Sequence, residues 1–290
     1  MISIIKNIYF HPLNKDRRFK AVARFIWWQI VSRTFKHPVL LPFTDKTKYL
    51  CWNGLTGLTG NYYHGLMEME EMAFVLHYLD KDDTFYDIGA NVGAYTILTG
   101  LHIGCQTVSF EPHPKTFSYL ERNISLGVKT DNITLFNIGL GSKAGRILFT
   151  SDKDTVNHVA LNDAVNVIDV QISVLDELTL PPPTVIKIDV EGFEWEVLNG
   201  GKLTLENGKL QAIIIELNGS GRRYGFKDED IDILLKGYGF KPYTYDPFNR
   251  ELISLDNYTS HNTIYIRNSP EVSGKLKKGN SVRLSNGAVI

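Results

Sequence analysis

The sequence is poor in cysteine: among 290 residues there are two, Cys51 and Cys105. Two thiols cannot build a disulfide framework and suit a reducing compartment, so a cytoplasmic location is expected. Net charge is nearly absent as well, at −1 from 31 Lys/Arg and 32 Asp/Glu, which excludes a global field that draws nucleic acid. No apolar run reaches the length of a membrane span, and the first residues lack a clean signal-peptide core. There is no internal repeat and no low-complexity tract. What is present, 43% hydrophobic and 22% charged residues, is ordinary for a globular chain with a real core.

Two nucleotide fingerprints are missing from a stretch that otherwise invites one. Thr84–Ile88 reads as a short apolar strand, followed by the turn Gly89-Ala90-Asn91-Val92-Gly93 and a helical pattern from Ala94. Strand, glycine turn and helix start form a nucleotide-type site in an α/β sheet. The P-loop pattern is absent, and Asn91 stands where a dinucleotide turn needs its second glycine, so the bare surface for a pyrophosphate is lost. Asp87 ends the strand instead. An acid there suits a ligand with a positive charge beside a carboxylate, as in S-adenosylmethionine (SAM), which has no phosphate. Asp87 would face the ammonium, and turn N–H groups would take the carboxylate.

A second strand, Thr107–Phe110, ends in Glu111-Pro112, and Glu111 follows Asp87 by 24 residues. That is about the spacing at which a βαβ unit sets an acid on ribose hydroxyls. Gly89, Asn91, Gly93, Tyr95 and Thr96 complete the expected cofactor set, with Asn137 and Gly139, after a third strand Asn132–Phe136, bordering the adenine. The expectation requires Asp87 and Glu111 to open on one ligand site.

DIGANVGAYT, FEPHP and KIDVEGFE (187–194), in that order, resemble the FkbM family of SAM-dependent methyltransferases. The resemblance spans about Tyr62 to Arg267. It implies O-methylation of sugar or natural-product hydroxyls on a class I, Rossmann-like α/β fold.

The rest of the chain fits a mostly parallel, doubly wound sheet closed by antiparallel strands, with three parts. These are an N-terminal helical extension and loop (1–60), the methyltransferase domain (61–268), and a polar, loosely held tail (269–290). Up to Lys36 there are eight Lys/Arg and one acid, and Phe19, Val22, Ala23, Ile26 and Ile30 recur near helical spacing beside Trp27 and Trp28. This basic amphipathic helix either packs on the domain or on a second subunit of a homo-oligomer, or touches a membrane surface. The Gly- and Tyr-rich stretch 49–65 reads as a loop beside the cofactor, leading into a helix over 65–80 whose Glu68, Glu70 and Glu71 are read mainly as a solvated face, with Glu68 near enough to the loop to turn toward the site.

In the fourth strand, Thr184–Val190, Lys187 and Asp189 share parity and face one side. Asp189 falls at the carboxyl end, where open α/β sheets bind ligands, and Glu191 follows on the turn. The expected catalytic group is therefore Asp189, Glu191 and Lys187, with His158 reaching in from the polar loop 151–166. Glu216 and Asn218, at the end of the fifth strand, are further candidates. With Asp189 they offer hard oxygens suited to Mg²⁺, although mutual hydrogen bonding without a metal is the preferred reading. Two other functions stay open: a methyltransferase-like scaffold subunit and an NAD-dependent oxidoreductase. The acceptor is expected to be a small molecule or glycan, not nucleic acid.

Overall fold

A computed structural model of the chain describes residues 2–34, 37–52, 58–151, 158–160 and 166–290. The strands among them are β1 (Val39–Pro42), β2 (Lys48–Cys51), β3 (Thr84–Ile88), β4 (Gln106–Phe110), β5 (Ile133–Phe136), β6 (Gly139–Leu140) and β7 (Gly145–Thr150). They continue with β8 (Val167–Ser173), β9 (Val185–Ile188), β10 (Ala212–Glu216), β11 (Lys241–Asp246), β12 (Glu251–Ser254) and β13 (Asn262–Ile266).

Eight strands form one sheet in the order β12-β11-β13-β10-β9-β3-β4-β5. From β10 to β5 the strands are parallel, and β13, β11 and β12 extend the sheet antiparallel. This is the class I methyltransferase arrangement, with three closing strands rather than the pair read from the sequence. The chain winds outward from β3 to β4 and β5, then returns to add β9 on the other side of β3. That reversal opens a crevice at the carboxyl ends of β3 and β9, where such sheets take ligands.

Parity sorts the side chains onto two faces. Tyr86, Ile88, Ile186, Ile188, Ile213 and Ile215 pack under the helices Glu194–Asn199 and Asp228–Gly237. Phe85, Val185, Ala212 and Ile214 pack on the other face with the helix Met69–Tyr78. The same cluster takes in Ile8, Phe25, Trp28, Phe43 and Tyr49, so both N-terminal helices and the β1–β2 hairpin share one core with the sheet. A separate three-stranded sheet has the order β6-β8-β7. The intervening polar loop, including Thr155 and Asn157, lies largely outside the described residues.

Two expectations need correction. The N-terminal region holds two helices, Ile2–Phe10 and Arg18–Thr34, and the second buries Ala21, Phe25, Trp28 and Ser32. Phe19, Ile26 and Ile30, the stripe singled out above, face outward. The tail is not loose either. Ser269–Lys278 is a helix that buries Val272 and Leu276, and Val282, Leu284 and Ile290 are buried beyond it. Asn286 then bonds the main chain of Leu13 (3.2 Å) and His64 (3.0 Å) and the side chain of Asn14 (3.3 Å). Both cysteines are free and buried, and no helix among the described residues is long and apolar enough to cross a membrane.

Candidate active site

The glycine turn is held in place by main-chain bonds. Gly89 N and Ala90 N both donate to Phe110 O, and Gly93 N donates to Ala90 O. Gly89 has φ +83°, and a Cβ there would lie 1.8 Å from the carbonyl oxygen of Asp189. Only glycine lets β3 and β9 turn out of the sheet so close together. Asn91 N donates to Glu111 Oε2 (3.0 Å). The N–H groups of Gly89, Ala90, Asn91 and Gly93 are therefore already used within the protein, contrary to the expectation that these amides wait for a ligand carboxylate.

Asp87 is buried and accepts from Thr96 Oγ1 at 2.7 Å; Thr96 Oγ1 also meets Ser109 Oγ at 2.8 Å. Burial pushes the Asp87 carboxyl up, and Lys187 opposes that shift. Thr96 is fully buried behind Asp87, so it holds the acid instead of touching a ligand. Lys187, beside Asp87 in register, forms an ion pair with Asp189 Oδ2 at 2.9 Å. Its ammonium sits 5.0 Å from the centre of the Tyr95 ring. Burial alone would lower the Lys187 pKa, but Asp189, Glu68 and Asp87 outweigh it and keep the group charged. Tyr95 in turn donates to Glu68 Oε2 at 2.6 Å.

Glu68, Asp87, Asp189, Glu191 and Glu216 line one cavity, with Lys187 as its basic residue. Burial, then Asp189 and Glu216, raise Glu191 to about 8. Burial, then Asp189, raise Glu216 to about 7. Glu191 has φ 55°, and Asn91 φ 50°. A glutamate in the left-handed region is unusual and marks a constrained site. The constraint is visible: Glu194 Oε1 accepts from Val190 N and Gly192 N, clamping the turn on either side of Glu191. Carboxylate oxygens of Asp189, Glu191 and Glu216 lie within 4.8 Å of one another. Glu191 thus joins this hard-oxygen group, while the Asn218 side chain accepts from Ser220 N and hydrogen-bonds Glu216.

A second, more apolar cavity is bordered by Phe110, Glu111, His113, Ile138, Gly139 and Phe149. Glu111 Oε1 accepts from His113 N (2.9 Å), and burial raises its carboxyl to about 7. Asp87 and Glu111 therefore open on different cavities, against the expectation of a single one; the two cavities meet along Gly89, Asn91, Asp189 and Glu191, residues lining both. Asn137 is exposed and donates to Glu111 O and Pro112 O; it braces the main chain beside the site and borders neither cavity. Gly93, with φ +95°, packs on Leu120 and starts the helix. His158 is absent from both linings; its main chain bonds Thr150 while the next residue, Val159, borders the apolar cavity.

Sequence reasoning passed over His113. Its Nδ1 accepts from Thr116 N, the first turn of the following helix, and burial lowers its pKa. The neutral ring then carries its hydrogen on Nε2. That donor is buried at the cavity and has no partner among the described residues.

The family model for the Methyltransferase FkbM domain matches residues 87–242, more than half of the chain. The hexuronic acid methyltransferase AglP of Haloferax volcanii is 28% identical over 155 residues, covering 52% of this chain and 62% of that protein. The chain thus aligns with less than two thirds of that relative's length. Among solved structures, methyltransferase FkbM from Methylobacillus flagellatus KT covers 71% of this chain and 50% of its own, at 17% identity and TM-score 0.45. The precorrin-6y C5,15-methyltransferase of Geobacter metallireducens GS-15 covers 69% and 87%, at 14% identity and TM-score 0.40. Both structural likenesses are too loose to carry detail.

Proposed function

This chain belongs to the FkbM methyltransferase domain family, and on that premise we propose that it binds SAM and methylates a hydroxyl of a sugar or glycan. The observation that carries the reading is the acid-lined cavity. Five carboxyl groups face one ammonium there, an environment that attracts a cationic ligand and repels a pyrophosphate. That charge balance argues against a dinucleotide oxidoreductase. A scaffold without chemistry has no use for Glu191 held in a left-handed turn. AglP, named for methylation of a hexuronic acid, supports a sugar acceptor.

SAM supplies an activated methyl group on a sulfonium. In this reading residues of both cavities would hold it. Asp87 and Glu68 face the cationic amino-acid portion, and Glu111 and His113 face the nucleoside, with Gly89 and Asn91 at the waist. Tyr95 and Gly139 shape the walls. Glu191, beside Asp189 and Glu216, takes the proton of the acceptor hydroxyl; a carboxylate raised to about 8 is a stronger base than an ordinary one. Lys187 anchors Asp189 and limits repulsion among the acids.

Calorimetry with SAM and with NAD, followed by methyl transfer to a panel of sugars including hexuronic acids, tests the proposal. Asp87→Asn should weaken SAM binding about tenfold or more. Glu191→Gln should retain binding while lowering kcat by about 10²–10⁴. Failure of SAM to bind ends the reading. A second mechanism draws on the Asp189–Glu191–Glu216 cluster, which has the hard oxygens for Mg²⁺ bridging vicinal hydroxyls. Turnover unchanged by EDTA removes it.

A further inference from the structure

The helix Arg18–Thr34 is apolar on two opposite sides, and the protein uses only one of them. Ala21, Phe25, Trp28 and Ser32 point into the core. Phe19, Ile26 and Ile30, at steps of seven and four, fall within about 40° of a single line on the far side. Phe19 is 80% exposed and Ile30 61%. Trp27 flanks the stripe and is 42% exposed. The first helix prolongs it: Tyr9 packs edge-on against both Phe10 and Phe19, with ring centroids 5.1 and 5.8 Å apart, and Phe10 is 67% exposed. Scattered exposed apolar residues need no explanation, but a continuous aromatic and aliphatic ridge along two packed helices does.

The charge around this ridge identifies what covers it. Residues 2–34 carry seven Lys/Arg and one acid, Asp16, whereas the whole chain has net charge −1. The remainder is therefore distinctly acidic. Arg18 lies over the Tyr9 and Phe10 rings at 5.2 and 5.7 Å, and Lys20 and Arg33 are exposed along the ridge. We propose that this face docks on a lipid bilayer bearing anionic headgroups. The aromatic and aliphatic side chains enter the headgroup–acyl boundary while the cations meet lipid phosphates and carboxylates. Attraction at this face and repulsion of the acidic remainder fix the orientation. A twofold contact with a second copy would set these cations against their own images.

Docking would also orient the candidate active site. Trp27 and Arg24 both contact Tyr62, at 5.8 Å each. Tyr62 lies in the short helix Thr59–His64, and Met67 and Glu68, just beyond it, line the acidic cavity. The inference is independent of which reaction that cavity performs.

The test is co-sedimentation of the full chain with phosphatidylcholine vesicles, with and without phosphatidylserine, over a range of salt. Binding to the anionic vesicles, weakened by salt, is expected. Lys20→Glu with Arg33→Glu should lower the partition coefficient about tenfold or more. Replacing Phe19, Ile26 and Ile30 together by Ser should abolish binding. All five positions are exposed, so unchanged circular dichroism and melting temperature are expected for both variants. Equal binding to neutral and anionic vesicles, or binding that survives both sets of substitutions, overturns the proposal. So does a sedimenting dimer that the Ser substitutions disperse without any vesicle preference, because the face would then belong to a second copy.

Discussion

Among individual residues, His113 combines a helix cap with a ring nitrogen open to a ligand test. A histidine preceding a helix reads as a cap, and its Nδ1 does cap Thr116 N. The other ring nitrogen is the candidate ligand contact, because among the described residues it lies buried without a partner. His113→Asn separates the two roles: asparagine caps well but carries nothing at the Nε2 position. The expected result is an unchanged melting temperature and SAM affinity weakened about three- to tenfold by titration calorimetry. Equal affinities would mean that Nε2 serves no ligand. Glu191 and Glu194 divide labour in a similar way. The first faces the cavity, while the second is spent on Val190 N and Gly192 N to hold the first in its left-handed conformation.

At the level of elements, β3 was legible residue for residue. Its apolar run is short, and Gly89 and Gly93 bound it with conformations that only a turn needs. That turn also gives a sharp test. Gly89→Ala must fit a Cβ 1.8 Å from the Asp189 carbonyl oxygen at φ +83°. The left-handed conformation alone costs about 1–2 kcal/mol, and relieving the clash pushes β3 and β9 apart at the waist of the site. Loss of SAM binding together with a lowered melting temperature is expected. A variant of normal affinity would show that the turn does not shape the site. The helix Arg18–Thr34 was legible as a helix but not as to its inward side. Two apolar stripes on opposite faces give periodicity no means of choosing between them. The segment after Ser269 misled for a different reason. Its few apolar residues, Val272, Leu276 and Leu284, are diluted by Ser, Lys and Asn, and one buried anchor, Asn286, is itself polar. Strand β12 is mostly exposed, so it shows no alternation to read.

For the molecule as a whole, the raised carboxyls tie pH to both stability and ligand binding. Glu111, Glu191 and Glu216 ionise near 7, 8 and 7 in the folded chain, against an ordinary value near 4.5. Between those limits the folded state holds protons that the unfolded state has lost. These groups therefore subtract stability progressively as pH rises from about 5 to about 8. A cationic ligand favours their ionised forms, so the rise in melting temperature that it brings should grow across the same window. SAM and its demethylated product, S-adenosylhomocysteine, separate this from ordinary ligand stabilisation, since only SAM carries the sulfonium. Scanning calorimetry should show the SAM increment outgrowing the product's as pH increases. Parallel increments would mean that the carboxyl cluster does not sense the methyl-bearing centre.

The contacts of Asn286 bear on how the protein is made. Leu13, Asn14 and His64 are joined by a side chain that leaves the ribosome more than 200 residues after any of them. The first two helices therefore emerge without the seat that secures them, with aromatic side chains bare on both flanks of the second. These contacts can form only once synthesis has passed residue 286.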